Sequence, residues 1–278
     1  MGAKVISTVN IKGGIGKTTT TGCESELLTT LGKRVLNIDM DPQGNLTQLF
    51  GRYQTGEQTI NDLLMLKGSE CCRENVIRAI QKTDNPLIDI IGSNEELTFV
   101  SQSIAFDQSR AQQLILKKII DTVKEDYDYI LIDNTPFFNI LTINSLCASD
   151  YVITPVGCSG YSYAGLQRLL REIYRIKDEF NRDLEFLGAF ITNANIQKVA
   201  FKEMYSGYKQ ELKEKFLNTY IRQDKNVEES TIAFVPLYTY SKNTNAVVDY
   251  RKLLAELNIL DEKSQKELEK IILEKKGI

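Results

Sequence analysis

Short apolar runs alternate along this chain with longer stretches in which apolar residues recur every three to four positions. Residues 5–9 read as a buried strand, and 17–31 as a helix closed by Gly32. Residues 34–38 form a second strand that runs into Asp39. Residues 87–91 are apolar and short, and 109–123 carry a helical pattern. Residues 129–132 make a strand ending in Asp133, and 151–154 another ending at Pro155. From Leu166 onward, Leu169, Leu170, Ile173, Ile176 and Phe180 lay a helical stripe. Residues 186–191 return to strand and 199–216 to helix.

Strands separated by helices, several of them continuously apolar, imply a mostly parallel twisted sheet with helices on both faces. The expected fold class is α/β. In such sheets ligands bind beyond the carboxyl ends of the strands, here Val9, Ile38, Ile132 and Thr154. No repeat, low-complexity tract or Pro/Gly/Ser linker interrupts the pattern. The expectation is one domain over 1–278, with 261–278 as a C-terminal helix and no N-terminal DNA-binding domain.

Composition changes this picture in one respect. The chain contains no histidine, so the usual neutral-pH general base is absent and proton chemistry falls to carboxylates, lysines or water. The net charge of −3 excludes a globally basic nucleic-acid binder but leaves room for a local patch. Five cysteines, an odd number without C-x-x-C, suit a reduced cytoplasmic protein better than a disulfide framework or a zinc set. No signal peptide pattern or bilayer-length apolar run is visible.

Candidate chemistry concentrates between the first strand and the first helix. Asn10-Ile11-Lys12-Gly13-Gly14-Ile15-Gly16-Lys17-Thr18-Thr19 occupies the strand–loop–helix context that a phosphate-binding loop needs. The glycines allow a tight turn whose N–H groups face phosphate oxygens, and the helix N-terminus adds attraction. Lys17 supplies charge to the β- and γ-phosphates, and the Thr18 hydroxyl is placed to ligate Mg²⁺. Lys12, Gly13, Gly14, Ile15, Gly16, Lys17, Thr18 and Thr19 are thus the candidate ATP contacts. One departure stands out: Ile11 replaces the glycine expected five residues before Gly16, and a second lysine, Lys12, follows it.

This Lys-Gly-Gly-x-Gly-Lys-Thr-Thr segment resembles the deviant Walker A motif of the ParA/MinD family of P-loop ATPases, in its ParA/Soj-type partition branch. Asp39-Met40-Asp41-Pro42-Gln43-Gly44-Asn45 is similar to that family's second motif, and Tyr129-Ile130-Leu131-Ile132-Asp133 to its Walker B strand. Thr154-Pro155-Val156, Gly165-Leu166, and Pro236 with the helix around Tyr250 match the partition pattern in outline. The resemblance implies a P-loop NTPase fold with ATP and Mg²⁺ as cofactors. It implies that Lys12 reaches across a homodimer to the partner's ATP, that Asp41 orients the attacking water, and that Lys17 and Lys12 stabilise charge. Thr18, Asp39 and Asp133 would hold or support Mg²⁺, and Asn193 and the backbone near Pro236 would meet the adenine. After Asp133 the family reads T-P-P-S-L-G, whereas this chain reads Asn134-Thr135-Pro136-Phe137-Phe138-Asn139, which puts the γ-phosphate sensor and the hydrolysis rate in question.

The same core serves DNA partition and membrane positioning. The tail 261–278 balances five lysines against five acidic residues, which weighs against a MinD-like membrane helix. Residues 167–225 hold twelve Lys and Arg against nine Asp and Glu, leaving −6 for the remainder. Arg171, Arg175, Lys198, Lys202, Arg222 and Lys225 are the candidate phosphate contacts for non-specific DNA binding, together with Arg168, Lys209 and Lys213. The expected function is an ATP-dependent dimerising switch for DNA segregation, nucleoid-associated when ATP-bound and stimulated by a ParB-like centromere-binding protein. Competing readings are a MinD-like ATPase, a bacterial tyrosine kinase (though the last tyrosine is Tyr250), an iron–sulfur reductase, and a switch that scarcely hydrolyses ATP.

Overall fold

A computed structural model describes residues 2–51, 57–158 and 160–274. Seven strands form one sheet: β1 (Lys4–Thr8), β2 (Val35–Met40), β3 (Gln81–Lys82), β4 (Ile88–Ile91), β5 (Tyr129–Asn134), β6 (Tyr151–Val156) and β7 (Glu185–Ile191). Their spatial order is β3-β4-β2-β5-β1-β6-β7. Every pairing is parallel except that of the edge strand β3 on β4. The fold is the expected α/β class. The two-residue β3 has too few side chains to show a period.

Both faces of the sheet are covered, which explains the uninterrupted apolar strands. Val5, Ile38, Ile130 and Ile132 pack with the helices Ile60–Met65, Leu97–Phe106, Ile115–Asp121 and Ile140–Ala148. Their neighbours Ile6, Tyr129 and Leu131 point the other way, to the helices Lys17–Thr30 and Asn245–Glu256. A third cluster joins β6 and β7 to the helices Gly160–Glu179 and Val199–Leu212.

Two helices are shorter than their periodicity predicts. The pattern over 109–123 resolves into a single-turn 3₁₀ segment, Gln112–Leu114, followed by the helix Ile115–Asp121. Arg110 bonds the Asp107 carboxylate and the carbonyls of Leu64 and Leu66, which holds the chain out of helical geometry. Asn144 Oδ1 then accepts from the amides of Ile115 and Leu116 and sets the helix start from another element. The helix expected over 199–216 ends at Leu212, because Lys213 turns to φ 51°.

The C-terminal helix runs over Glu262–Glu274. It packs on the core through buried Leu268, with Ile271 and Ile272 alongside. Lys33 pairs with Asp261 at its start, at 2.5 Å. Lys275 and Lys276 of the tail lie outside the described residues. Among the described residues no helix is long and apolar enough to cross a membrane.

Candidate nucleotide site

The chain leaves β1 toward β2 on one side and later passes to β6 and β7 on the other, so a crevice opens at the carboxyl ends of β1 and β5. The loop after β1 enters that crevice. Gly14 and Gly16 hold φ 70° and 79°, a left-handed backbone that a side chain would disfavour. Asn10 fixes the loop's entrance, its amide donating to Pro155 O (2.7 Å) and its carbonyl accepting from Lys12 N (3.0 Å). Thr192, at the end of β7, supports the far side by donating to Ile15 O at 2.7 Å.

Behind the loop, Thr20 Oγ1 donates to Gly16 O (2.7 Å) and lies 3.1 Å from the Tyr250 hydroxyl. Thr21 bonds Thr8 at 3.0 Å, tying the helix Lys17–Thr30 to β1. Lys17 is buried and donates to Lys12 O at 3.0 Å. Burial lowers its pKa, against which Asp133 and Asp41 pull upward. Lys12 is exposed at the start of the loop.

Thr18 donates to Asp133 Oδ2 at 2.6 Å. Asp133 is fully buried, and its Oδ1 has no hydrogen-bond partner among the described residues. Burial, then repulsion from Asp39, raises the Asp133 pKa well above the carboxylate range. A buried carboxylate with an orphaned oxygen behind a threonine hydroxyl is the donor set that a hydrated magnesium ion satisfies. Thr18 and Asp133 fit Mg²⁺ and are the residues that would hold it beside a bound nucleotide.

Asp39 is held differently from the expectation that it supports the metal's water shell. It is the register partner of Asp133 on the neighbouring strand, yet both its oxygens serve the backbone. Oδ1 accepts from Asp41 N (3.0 Å), and Oδ2 from Thr47 N and Thr47 Oγ1 (both 2.8 Å). Burial lifts its pKa to about 6. Asp39 lines neither cavity described below and shapes the loop that carries Asp41. Asp41 does reach a cavity, with Oδ1 accepting from Gln43 N at 3.0 Å.

Two cavities meet at the loop. The smaller, 430 Å³, is bounded by Gly13, Lys17, Thr18, Asp41, Pro136 and Phe234 and suits the phosphates. The larger, 870 Å³, runs from Gly14, Ile15 and Gly16 to Asn193, Gln223, Asp224 and Tyr250 and suits a nucleoside. Gly14, Gly16, Thr19 and Thr231 line both.

The structure places Asn193 on the larger cavity, in a left-handed turn at φ 51°. Pro236 lines neither cavity. It starts the short helix Leu237–Tyr240, whose amides at Tyr238 and Thr239 donate to Glu26 at 2.7 and 2.9 Å.

Arg222, a candidate DNA contact, is tied to a carboxylate and to the larger cavity. Its guanidinium makes two bonds to the buried Asp249 carboxylate, at 2.7 and 2.9 Å, and it lines the larger cavity. Arg171, Lys198 and Lys202 are exposed. Arg175 is paired with Glu172 at 2.6 Å, and Lys225 with Glu229 at 3.7 Å. Sequence reasoning missed the wall formed by Gln223, Asp224 and Val227. These residues carry no phosphate-like signature, and pairing between remote segments, including the bridge of Ala194 to Arg222, brings them to the site.

Fold, loop geometry and the Thr18–Asp133 pair together define a P-loop nucleotide-binding protein. The AAA domain family matches residues 3–186. Soj, the sporulation initiation inhibitor protein of Bacillus subtilis, is 31% identical over 255 residues, covering 91% of this chain and 98% of Soj. The chromosome partitioning protein ParA of Caulobacter vibrioides is 30% identical over 257 residues, covering 91% and 93%. A plasmid partition protein of Borrelia burgdorferi, crystallised with AMPPNP, superposes with a TM-score of 0.75 at 25% identity, covering 91% of this chain and 98% of that one. The chain belongs to the ParA/Soj family of P-loop ATPases.

Proposed function

We propose that this chain is an ATP-dependent dimerising switch that binds DNA non-specifically and drives the segregation of a DNA cargo, with slow hydrolysis stimulated by a centromere-binding partner. The observation that carries the reading is the phosphate loop itself: Lys17 and Thr18 converge on buried Asp133, with Lys12 exposed at the loop's entrance. ATP and Mg²⁺ are the cofactors this arrangement suits. The metal, when bound, supplies charge neutralisation between the phosphates. Lys17 holds the β- and γ-phosphates, Asp41 orients the attacking water, and Lys12 serves the ATP of a second copy.

With no histidine in the chain, turnover depends on positioning and charge. Exposed Arg171, Lys198 and Lys202 supply a surface for DNA phosphates, doubled in a dimer. Packing of the C-terminal helix weighs against a membrane-positioning role, because Leu268 is buried and Ile271 and Ile272 lean on the same core cluster.

DNA binding measured with ATP, with ADP and without nucleotide tests the proposal. The wild type should bind with ATP alone, and Lys12→Ala should lose that binding. Equal affinity in all three states would sink the switch, and ATP-dependent flotation with liposomes in place of DNA binding would favour the membrane reading.

A further inference from the structure

The backbone of Asp41 is gripped on both sides. Its amide donates to Asp39 Oδ1 at 3.0 Å. Its carbonyl accepts from Gly44 N at 2.9 Å and from Ser93 Oγ at 2.6 Å. Ser93 follows β4, is 3% exposed, and belongs to none of the motifs read from the sequence. Its own amide donates to Thr47 Oγ1 at 2.9 Å, and Thr47 donates twice to Asp39 Oδ2. The bonds close a ring that runs from Asp39 to Asp41, Ser93, Thr47 and back to Asp39.

Packing around the ring leaves little slack. A Cβ on Gly44, already at φ 62°, would stand 3.1 Å from Ser93 O. One on Gly92 would stand 2.8 Å from Thr47 Cγ2. Of the four ring residues Asp41 lines the cavity that suits the phosphates, and the other three line neither of the two cavities at the loop. The other three act through it.

We propose that Ser93 is a positioning residue for hydrolysis: anchored by its amide on Thr47, which Asp39 holds in turn, it uses its hydroxyl to hold the Asp41 peptide so that the carboxylate faces the phosphate cavity. The inference rests on the reading of Asp41 as the residue that orients water. Removing the hydroxyl takes from the Asp41 carbonyl one of its two bonds and lets that peptide rotate. A displacement of about 1 Å in a catalytic constellation costs up to about 100-fold in rate. The phosphate contacts come from residues 13–19 and do not pass through Ser93, so the loss falls on turnover and spares ATP affinity.

Turnover, ATP affinity and thermal midpoint are to be measured on the full chain for Ser93→Ala, Ser93→Thr, Asp41→Ala and the double variant Ser93→Ala with Asp41→Ala. Ser93→Ala should lower kcat about tenfold with ATP affinity within about twofold. Ser93→Thr, which keeps the hydroxyl, should recover kcat to within about threefold of wild type. The double variant should turn over no more slowly than Asp41→Ala alone, since both changes act at one carboxylate. Should Ser93→Ala not fold, Ser93→Cys replaces it, with kcat expected below that of Ser93→Thr and ATP affinity within about twofold of wild type.

An unchanged kcat in Ser93→Ala beside a slow Asp41→Ala overturns the clamp and leaves the Asp41 reading standing. An unchanged kcat in Asp41→Ala removes that reading and the clamp with it. Affinity and stability falling together with kcat, without recovery in Ser93→Thr, would make Ser93 a folding residue only.

Discussion

The phosphate cavity and the larger cavity beside it share four residues yet are assembled in different ways. Around the phosphates, Gly13, Gly14, Gly16, Lys17, Thr18 and Thr19 come from one turn of chain between β1 and its helix. Around the nucleoside cleft, Asn193, Gln223, Asp224, Asn245 and Tyr250 come from segments joined by a β-bridge, an Arg222–Asp249 pair and a Tyr250–Thr20 contact. A turn that presents successive amides is a property of local φ/ψ choice, which glycines announce. A wall built from remote side chains is a property of packing, which no short motif announces. Changes at the first region should therefore remove binding outright, and changes at the second should weaken it by degrees.

The largest effect is expected at Lys17. Lys17→Ala removes the buried cation that faces Asp133 and Asp41, and ATP affinity should fall by about 100-fold or more. Calorimetric titration with MgATP checks this, and a loss under tenfold would break the contrast between the two regions.

Glu24 provides a control that touches neither cavity. It lies fully buried on the helix behind the loop, and its Oε1 has no hydrogen-bond partner among the described residues. Burial raises its pKa from 4.5 to about 8. The folded chain thus keeps a proton that the unfolded chain releases. Stability from this group is fully present below pH 4.5 and drains away as pH rises toward 8. At about 1.4 kcal/mol per pH unit, the cost at pH 7 is roughly 3 kcal/mol. Glu24→Leu should recover most of that and flatten the stability profile between about pH 5 and 8, with ATP affinity unchanged. Thermal unfolding across that range measures it, and an equal slope in both proteins would remove the assignment.

The smallest effect is expected in the nucleoside wall. Asp249→Asn loosens the two-bond grip on Arg222 and should weaken ATP binding about tenfold, with kcat at saturating ATP unchanged. A fall in kcat of the same size would mean that the two regions act as one unit.

Much of the fold was legible because each central strand carries apolar residues toward both faces, as Val5 and Ile6 do on β1. The edge strand β3 was not, since two residues show no period. At the site, Lys17 and Thr18 stood out by their place at the start of a helix behind a glycine-rich loop, and Asp133 by its place at a strand end. Asp39 also stood out, but both its oxygens belong to backbone and hydroxyl donors of the Asp41 loop. Basic residues gave the weakest guide: Arg222 has the same composition signature as Arg171, and only the buried Asp249 beneath it separates them.

By itself, then, the amino-acid order determined the layered α/β architecture, the phosphate loop and the identity of its charged groups, because these depend on periodicity and on neighbours a few residues apart. Tertiary structure alone decided which carboxylate lines a cavity and which braces a loop, where Pro236 and Arg222 end up, and that Ser93 reaches the Asp41 carbonyl. Those outcomes follow from hydrogen bonds between segments far apart in the chain, whose partners are chosen only when the sheet and its helices close around them.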